Sequence, residues 1–275
     1  MVESPMVETN VHGMKFPGYG RCIYCGATSV LKDEHIIPHS LGGTAVILKA
    51  SCADCEKITS YLDGYLARDI FNEYRSHVGI QSRRKRQRPT TLHASFLKPD
   101  GTEEVRSYPA KQQPYTLMMP IWHLPGIVLG KEPSSEFEIT QSHVYNFINN
   151  ETSEWMQAEG AKLGAWPYVN YPTFARAMAR IAFCQAVSNR GLDGFNHLDL
   201  PALILGKYPH VPHYVGVARE DPPPPDPREM VHKVQIQDFT KDGSTYLMAS
   251  VRLFAHSGYK DLGMPIYRVI LGIPK

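Results

Sequence analysis

No stretch of this chain approaches the roughly 18 consecutive apolar residues that a membrane-spanning helix needs, which excludes that class of integral protein. The first residues, Met1 to Asn10, carry Glu3 and Glu8 and lack an apolar run behind a basic start, so no secretory leader is expected and the expected setting is the cytoplasm. A large charge of either sign is also missing. The 29 Lys and Arg against 27 Asp and Glu leave a net charge of +2, so attraction to a polyanion has to come from a local patch. Cysteine is scarce and odd in number, at five, which argues against a disulfide framework. What is present in quantity is apolar residue: 43% hydrophobic and 10% aromatic over 275 residues, enough to bury the core of one large or two ordinary domains.

Four of the cysteines form two close pairs, Cys22-Ile-Tyr-Cys25 and Cys52-Ala-Asp-Cys55. Each pair places two thiolates on one tight turn, and two such turns supply the tetrahedral sulfur set of a structural zinc ion. With four thiolates no position is left for water, so this zinc is expected to staple the segment and to take no part in chemistry. Cys184 stands alone and is expected to pack as a small buried hydrophobe.

Between the pairs, Ile36 and Ile37 suggest a short strand that stops at Pro38, Gly42-Gly43 signals a turn, and Val46 to Leu48 reads as a returning strand. From Ala53 onward the pattern is helical: Ile58, Leu62, Tyr65, Leu66, Ile70 and Phe71 fall mostly on one face. The local order is strand, turn, strand, helix.

Taken together, C-x-x-C, D-E-H-I-I-P, L-G-G-T and A-S-C-x-x-C over about residues 20 to 72 resemble the HNH endonuclease family, closest to the branch in which four cysteines bracket the ββα-metal motif. The resemblance implies His35 as the general base that activates water, and Glu34 as a ligand of a catalytic divalent ion, magnesium or manganese. The helix position after the last cysteine is Glu56, where the family more often has Asn or His. Glu56 is the expected second ligand, with Asp63, seven residues on along the same face, held in reserve. The family's middle Asn falls near Ile47, whose side chain cannot do that work; His39, Ser40 or Thr44 are the candidate substitutes. Neighbouring strand residues point to opposite faces, so Glu34 and His35 serve one site only if the backbone bends there or the carboxylate reaches around.

The run Arg83-Arg84-Lys85-Arg86-Gln87-Arg88 puts five basic residues in six positions just beyond this helix, and it is expected to grip a phosphate backbone without reading sequence; His39 is a further candidate phosphate contact. Downstream, Tyr115 to Leu129 suggests short strands and turns, and Thr140 to Asn149 a short helix. Phe174, Ala177, Met178, Ile181 and Cys184 form the apolar stripe of the clearest helix, which Gly191 stops. The tract Phe174 to Tyr208 is similar to the tail of some bacterial proteins of the same branch. Val231–Asp238, Thr245–His256 and Pro265–Ile273 read as an antiparallel meander.

The expected fold is therefore α+β: a ββα-metal module with structural zinc over residues 1–80, a basic linker over 81–90, and a larger α+β domain over 91–275 that ends in the meander. The expected function is metal-dependent hydrolysis of phosphodiester bonds in nucleic acid, DNA before RNA. The alternative is a zinc-stabilised module that binds nucleic acid without cutting it. The resemblance leaves room for a homodimer, since a nicking domain needs two copies to cut both strands.

Overall fold

A computed structural model describes residues 2–3, 7–8, 13–80, 90–164, 168–218, 223–224, 231–256, 258–259 and 262–275. The short strand Lys32–His35 pairs antiparallel with Val46–Ser51, whose other edge carries Lys15–Phe16 in parallel. The turn between them follows Pro38 as a single 3-10 turn, His39–Leu41. Gly42 adopts φ 96°, the left-handed region glycine favours, and a Cβ on Gly43 would lie 2.0 Å from the carbonyl oxygen of Ile37. Both glycines of the pair are thus required, for different reasons.

The helix Ala53–Tyr65 starts in the second cysteine pair, continues through a wide turn at Leu66–Ile70, and ends with Asn72–His77. Its buried face, including Leu62, Leu66, Ile70 and Phe71, joins a core that runs on into the rest of the chain. Two minor strands at Val2–Glu3 and Val7–Glu8 pair with His232–Lys241 near the other end of the sequence. Sheet pairing and the core thus join residues on either side of 81–90.

At the centre lies the helix Tyr171–Arg190. Asn170 caps it by accepting from the Thr173 amide at 3.0 Å, and Gly191 ends it at φ 81°. The expected stripe of Phe174, Ala177, Met178, Ile181 and Cys184 is buried, but so is nearly everything else from Thr173 to Val187. The helix is enclosed on all sides, with the Ala53–Tyr65 helix against it and the meander sheet behind it. Tyr65 fixes the first of these contacts: its hydroxyl accepts from the Asn170 amide at 2.7 Å.

The meander forms as the sequence implies. His232–Lys241 and Ser244–Leu253 are joined by Asp242-Gly243, both with positive φ, as a two-residue hairpin turn requires, and Tyr267–Pro274 adds the third strand. Thr91–Leu97, Glu103–Pro109 and Lys162–Leu163 make a separate small sheet. One expectation fails. Thr140–Asn149 is not a helix: Ile139–Phe147 is a nine-residue strand paired with Tyr115–Trp122. Its Thr, Val, Tyr and Phe are strand formers, and the Tyr145 hydroxyl donates to the carbonyl of Gly263 at 2.8 Å, which fixes the strand to the core.

His232 ties the meander to the hairpin turn. The Leu41 carbonyl, 2.8 Å from Nε2, can only accept, so Nε2 carries the proton; Nδ1 accepts from the Phe254 amide at 3.3 Å. Both nitrogens are used by the neutral ring, and burial pushes its pKa down to about 4. Stability is then fully present above the unfolded-state value near 6.5 and falls as the pH is lowered toward 4, by up to about 3 kcal/mol. Urea unfolding at pH 7.5 and pH 5 is expected to show this loss in the intact protein and to show a flatter dependence in His232→Gln. Equal slopes would contradict it.

Candidate functional site

The four cysteines converge. Cys22, Cys25, Cys52 and Cys55 present ligand atoms all within 4.8 Å of one another, with Cys22, Cys52 and Cys55 buried and Cys25 exposed. Among the described residues this is the one such group of three or more His, Cys, Asp or Glu side chains. The cluster joins the loop before the hairpin to the start of the helix Ala53–Tyr65, which is where a short segment needs a clamp.

The loop also does something the sequence did not announce. Tyr24, between Cys22 and Cys25, donates its hydroxyl to Oε1 of Glu34 at 3.2 Å and meets the Cys184 sulfur at 3.2 Å. Burial, then the neighbouring Cys184 and Glu34, raise the Tyr24 pKa well above its usual value, so it keeps the proton it donates. Cys184, pushed up to about 12 by burial, stays a thiol and supplies the hydrogen to the tyrosine oxygen.

Glu34 and His35 both line one cleft of about 580 Å³, together with His39, Ser40, Glu56, Asp63, Arg75 and Arg180. The hairpin register shifts between Lys32 and Glu34, and Lys49 opposite adopts φ 46° with its amide held by Oδ1 of Asp33 at 3.0 Å. This bulge bends the strand and resolves the conflict between adjacent residues serving one site. The His39 ring meets His35 edge-on with centroids 5.5 Å apart. Of the three candidates to replace the missing middle Asn, His39 and Ser40 line the cleft, while Thr44 accepts from the Gly13 amide at 2.8 Å. Ile47 is fully buried opposite Glu34 and belongs to the core.

The carboxylates differ in their partners. Glu34 is 3% exposed and is held by Arg180, whose Nη2 and Nε donate to Oε1 at 2.5 and 3.0 Å. Arg180 itself is 1% exposed, also donates to the Ile36 carbonyl at 2.9 Å, and lies 3.4 Å from Oδ2 of Asp63. Burial opposes its charge, and Asp63 and Glu34 more than offset this, raising its pKa well above the usual value. Breaking such a buried pair costs roughly 3–5 kcal/mol, because it strands the partner charge. Glu56 also lines the cleft, but its Oε2 is 2.7 Å from Lys32, in a half-exposed pair of small energetic weight.

Asp63 lines the cleft with one oxygen on Arg180 and the other, Oδ1, shut from solvent and without a hydrogen-bond partner. Burial, opposed by Arg180 and reinforced by Glu34, pushes its pKa up to about 6. A buried carboxylate oxygen without a partner is a place for a proton or a cation. Among the described residues, Oε2 of Glu34 meets the Thr59 hydroxyl alone, at 3.5 Å. By donor type Glu34 and Asp63 are the residues here that could hold a hard divalent cation; no second group of three or more ligands, with Asp63 or with Glu56, gathers among the described residues.

The basic run Arg83, Arg84, Lys85, Arg86 and Arg88 lies outside the described residues. Ile80, the last described residue before it, sits against Gly42 in the hairpin turn. No helix among the described residues is long and apolar enough to cross a membrane. Sequence reasoning passes over Arg180, which lines the cleft, and Tyr24, which holds Glu34 from behind it. The available signal was an arginine at position 180 on the same helical face as Ala177 and Cys184, where an ion needs a counter-ion.

Searches of curated proteins and of solved structures return no match. Residues 22–71, the stretch that holds the four-cysteine cluster, the hairpin and the helix, match a family described as HNH endonuclease.

Proposed function

We propose that this protein hydrolyses phosphodiester bonds in nucleic acid at the cleft between the hairpin and the Ala53–Tyr65 helix. The observation that carries the reading is the lining of that cleft: His35, His39, Glu34 and Asp63 face one space within the segment that matches the HNH endonuclease family. His35 takes a proton from the attacking water. The new P–O bond forms as the bond to the leaving sugar oxygen breaks, and that oxygen takes up a proton from solvent. His39 holds the base ring from its edge. Glu34 and Asp63 would hold the divalent cation. Magnesium or manganese, when bound at their oxygens, supplies positive charge to the scissile phosphate and to the leaving oxygen. The cysteine cluster, loaded with zinc, anchors the loop that carries Tyr24 and so keeps Glu34 in place. The basic run supplies backbone affinity by charge alone, with duplex DNA the first substrate to try.

A second reading, binding without cleavage, draws support from Glu56, which is paired with Lys32, and from Ile47, which is in the core. The experiment that separates them offers zinc-loaded protein duplex DNA, single-stranded DNA and RNA in magnesium, manganese or EDTA, and follows both cleavage and gel retardation. Cleavage that requires a divalent ion is expected. Retardation without cleavage in every condition supports the second reading.

A further inference from the structure

Arg180 comes from a helix 146 residues away in sequence from Glu34, yet its guanidinium lies against the base of the cleft. It takes one oxygen from each of two carboxylates. Oε1 of Glu34 accepts Nη2 and Nε, and Oδ2 of Asp63 lies 3.4 Å from the same Nη2. Among the described residues the other oxygen of each is left with little: Oδ1 of Asp63 has no hydrogen-bond partner and Oε2 of Glu34 has the Thr59 hydroxyl at 3.5 Å. Nη1 is anchored on the Ile36 carbonyl in the hairpin, and the helix carrying the arginine is buried on all sides, so the group has no route outward.

We propose that Arg180 is a positioning residue lent to the cleft by the C-terminal region: it clamps Glu34 and Asp63 side by side and leaves one oxygen of each for a divalent cation. This rests on the reading above, in which those two carboxylates hold the ion. Two adjacent carboxylates, one buried and one part-buried, repel one another and separate unless a cation lies between them. A planar guanidinium bridges two acceptors at once, which a single ammonium does less well. The hairpin, helix and cysteine cluster therefore do not make a complete site without the helix Tyr171–Arg190.

The test titrates full-length, zinc-loaded protein with manganese and reads free Mn²⁺ by electron paramagnetic resonance. Intact protein, Arg180→Lys, Arg180→Met and Asp63→Asn are compared after zinc content and thermal unfolding have been checked. The intact protein is expected to bind one manganese ion. Asp63→Asn and Arg180→Met are expected to bind roughly 10–100-fold more weakly, the range for losing a group that orients a metal ligand, with Arg180→Lys between them and the intact protein. Where Arg180→Met does not fold, Arg180→Lys, which keeps the charge but not the fork, carries the test. Manganese affinity unchanged or tightened in the arginine variants would overturn the proposal, since the guanidinium would then merely compete with the cation. Failure of the intact protein to bind manganese would overturn it too. Manganese binding in the expected order without cleavage of any nucleic acid would sink the nuclease reading and leave the clamp standing. Cleavage with no effect of Arg180 on manganese affinity would do the reverse.

Discussion

Cys22→Ser is expected to empty the four-cysteine cluster and to lower the unfolding temperature by on the order of 10 °C, the equivalent of a few kcal/mol for a chain of this size. The argument starts from the segment that the cluster holds. Residues 13 to 52 contain short strands and irregular loops, with few residues of regular structure to sustain them. Cys22 is 1% exposed, and Ile23 and Tyr24 beside it are core residues, so releasing the loop also releases part of the core. Tyr24 then leaves Glu34 and Cys184, and the Tyr24–Phe183 ring contact at 5.8 Å goes with it. The loss stays partial, because most of the buried apolar residues lie beyond the clamped segment, in the meander, the central helix and the elements between them. Elemental analysis with thermal unfolding reads both halves. An intact unfolding temperature in a metal-free variant would show that the cluster holds nothing together.

His35→Ala is expected to lower the rate of cleavage by about 10²–10⁴-fold, the usual contribution of a positioned general base. His35 lies in the cleft wall and not in the core, so the substitution should leave zinc content and unfolding temperature near those of the intact protein. Added imidazole is expected to restore part of the rate, because the vacated space opens on the cleft. A variant that cuts at the normal rate would remove the base from His35 and direct attention to His39, whose ring meets that of His35 edge-on at 5.5 Å.

The parts of this fold that sequence displayed are those set by local chemistry. The paired cysteines, the Gly42-Gly43 turn, the Asp242-Gly243 hairpin and the Asn170 to Gly191 limits of the central helix each follow from a few neighbouring residues. The segment Thr140–Asn149 holds a strand and not the expected helix, because its mix of apolar and polar residues carries no clear period and its pairing with Tyr115–Trp122 decides its form. Within the cleft, His35 and Glu34 were visible through the pattern D-E-H-I-I-P. The partition of the acids was not. Glu56 goes to Lys32 on the surface, while Asp63 and Glu34 meet Arg180 from the far end of the chain. No short-range pattern reports a contact between residues 34 and 180. The one local sign is an arginine set among alanines and large apolar residues on a helix that must be buried.

The most direct test of the account is nicking of supercoiled plasmid by zinc-loaded protein in manganese, run beside His35→Ala and beside the intact protein in EDTA. Relaxed circles from the intact protein in manganese alone, with neither control producing them, is the predicted result. A folded, zinc-loaded protein that leaves the plasmid supercoiled, or a His35→Ala variant that nicks it equally well, would contradict the assignment of this cleft as a nuclease site with His35 as its base.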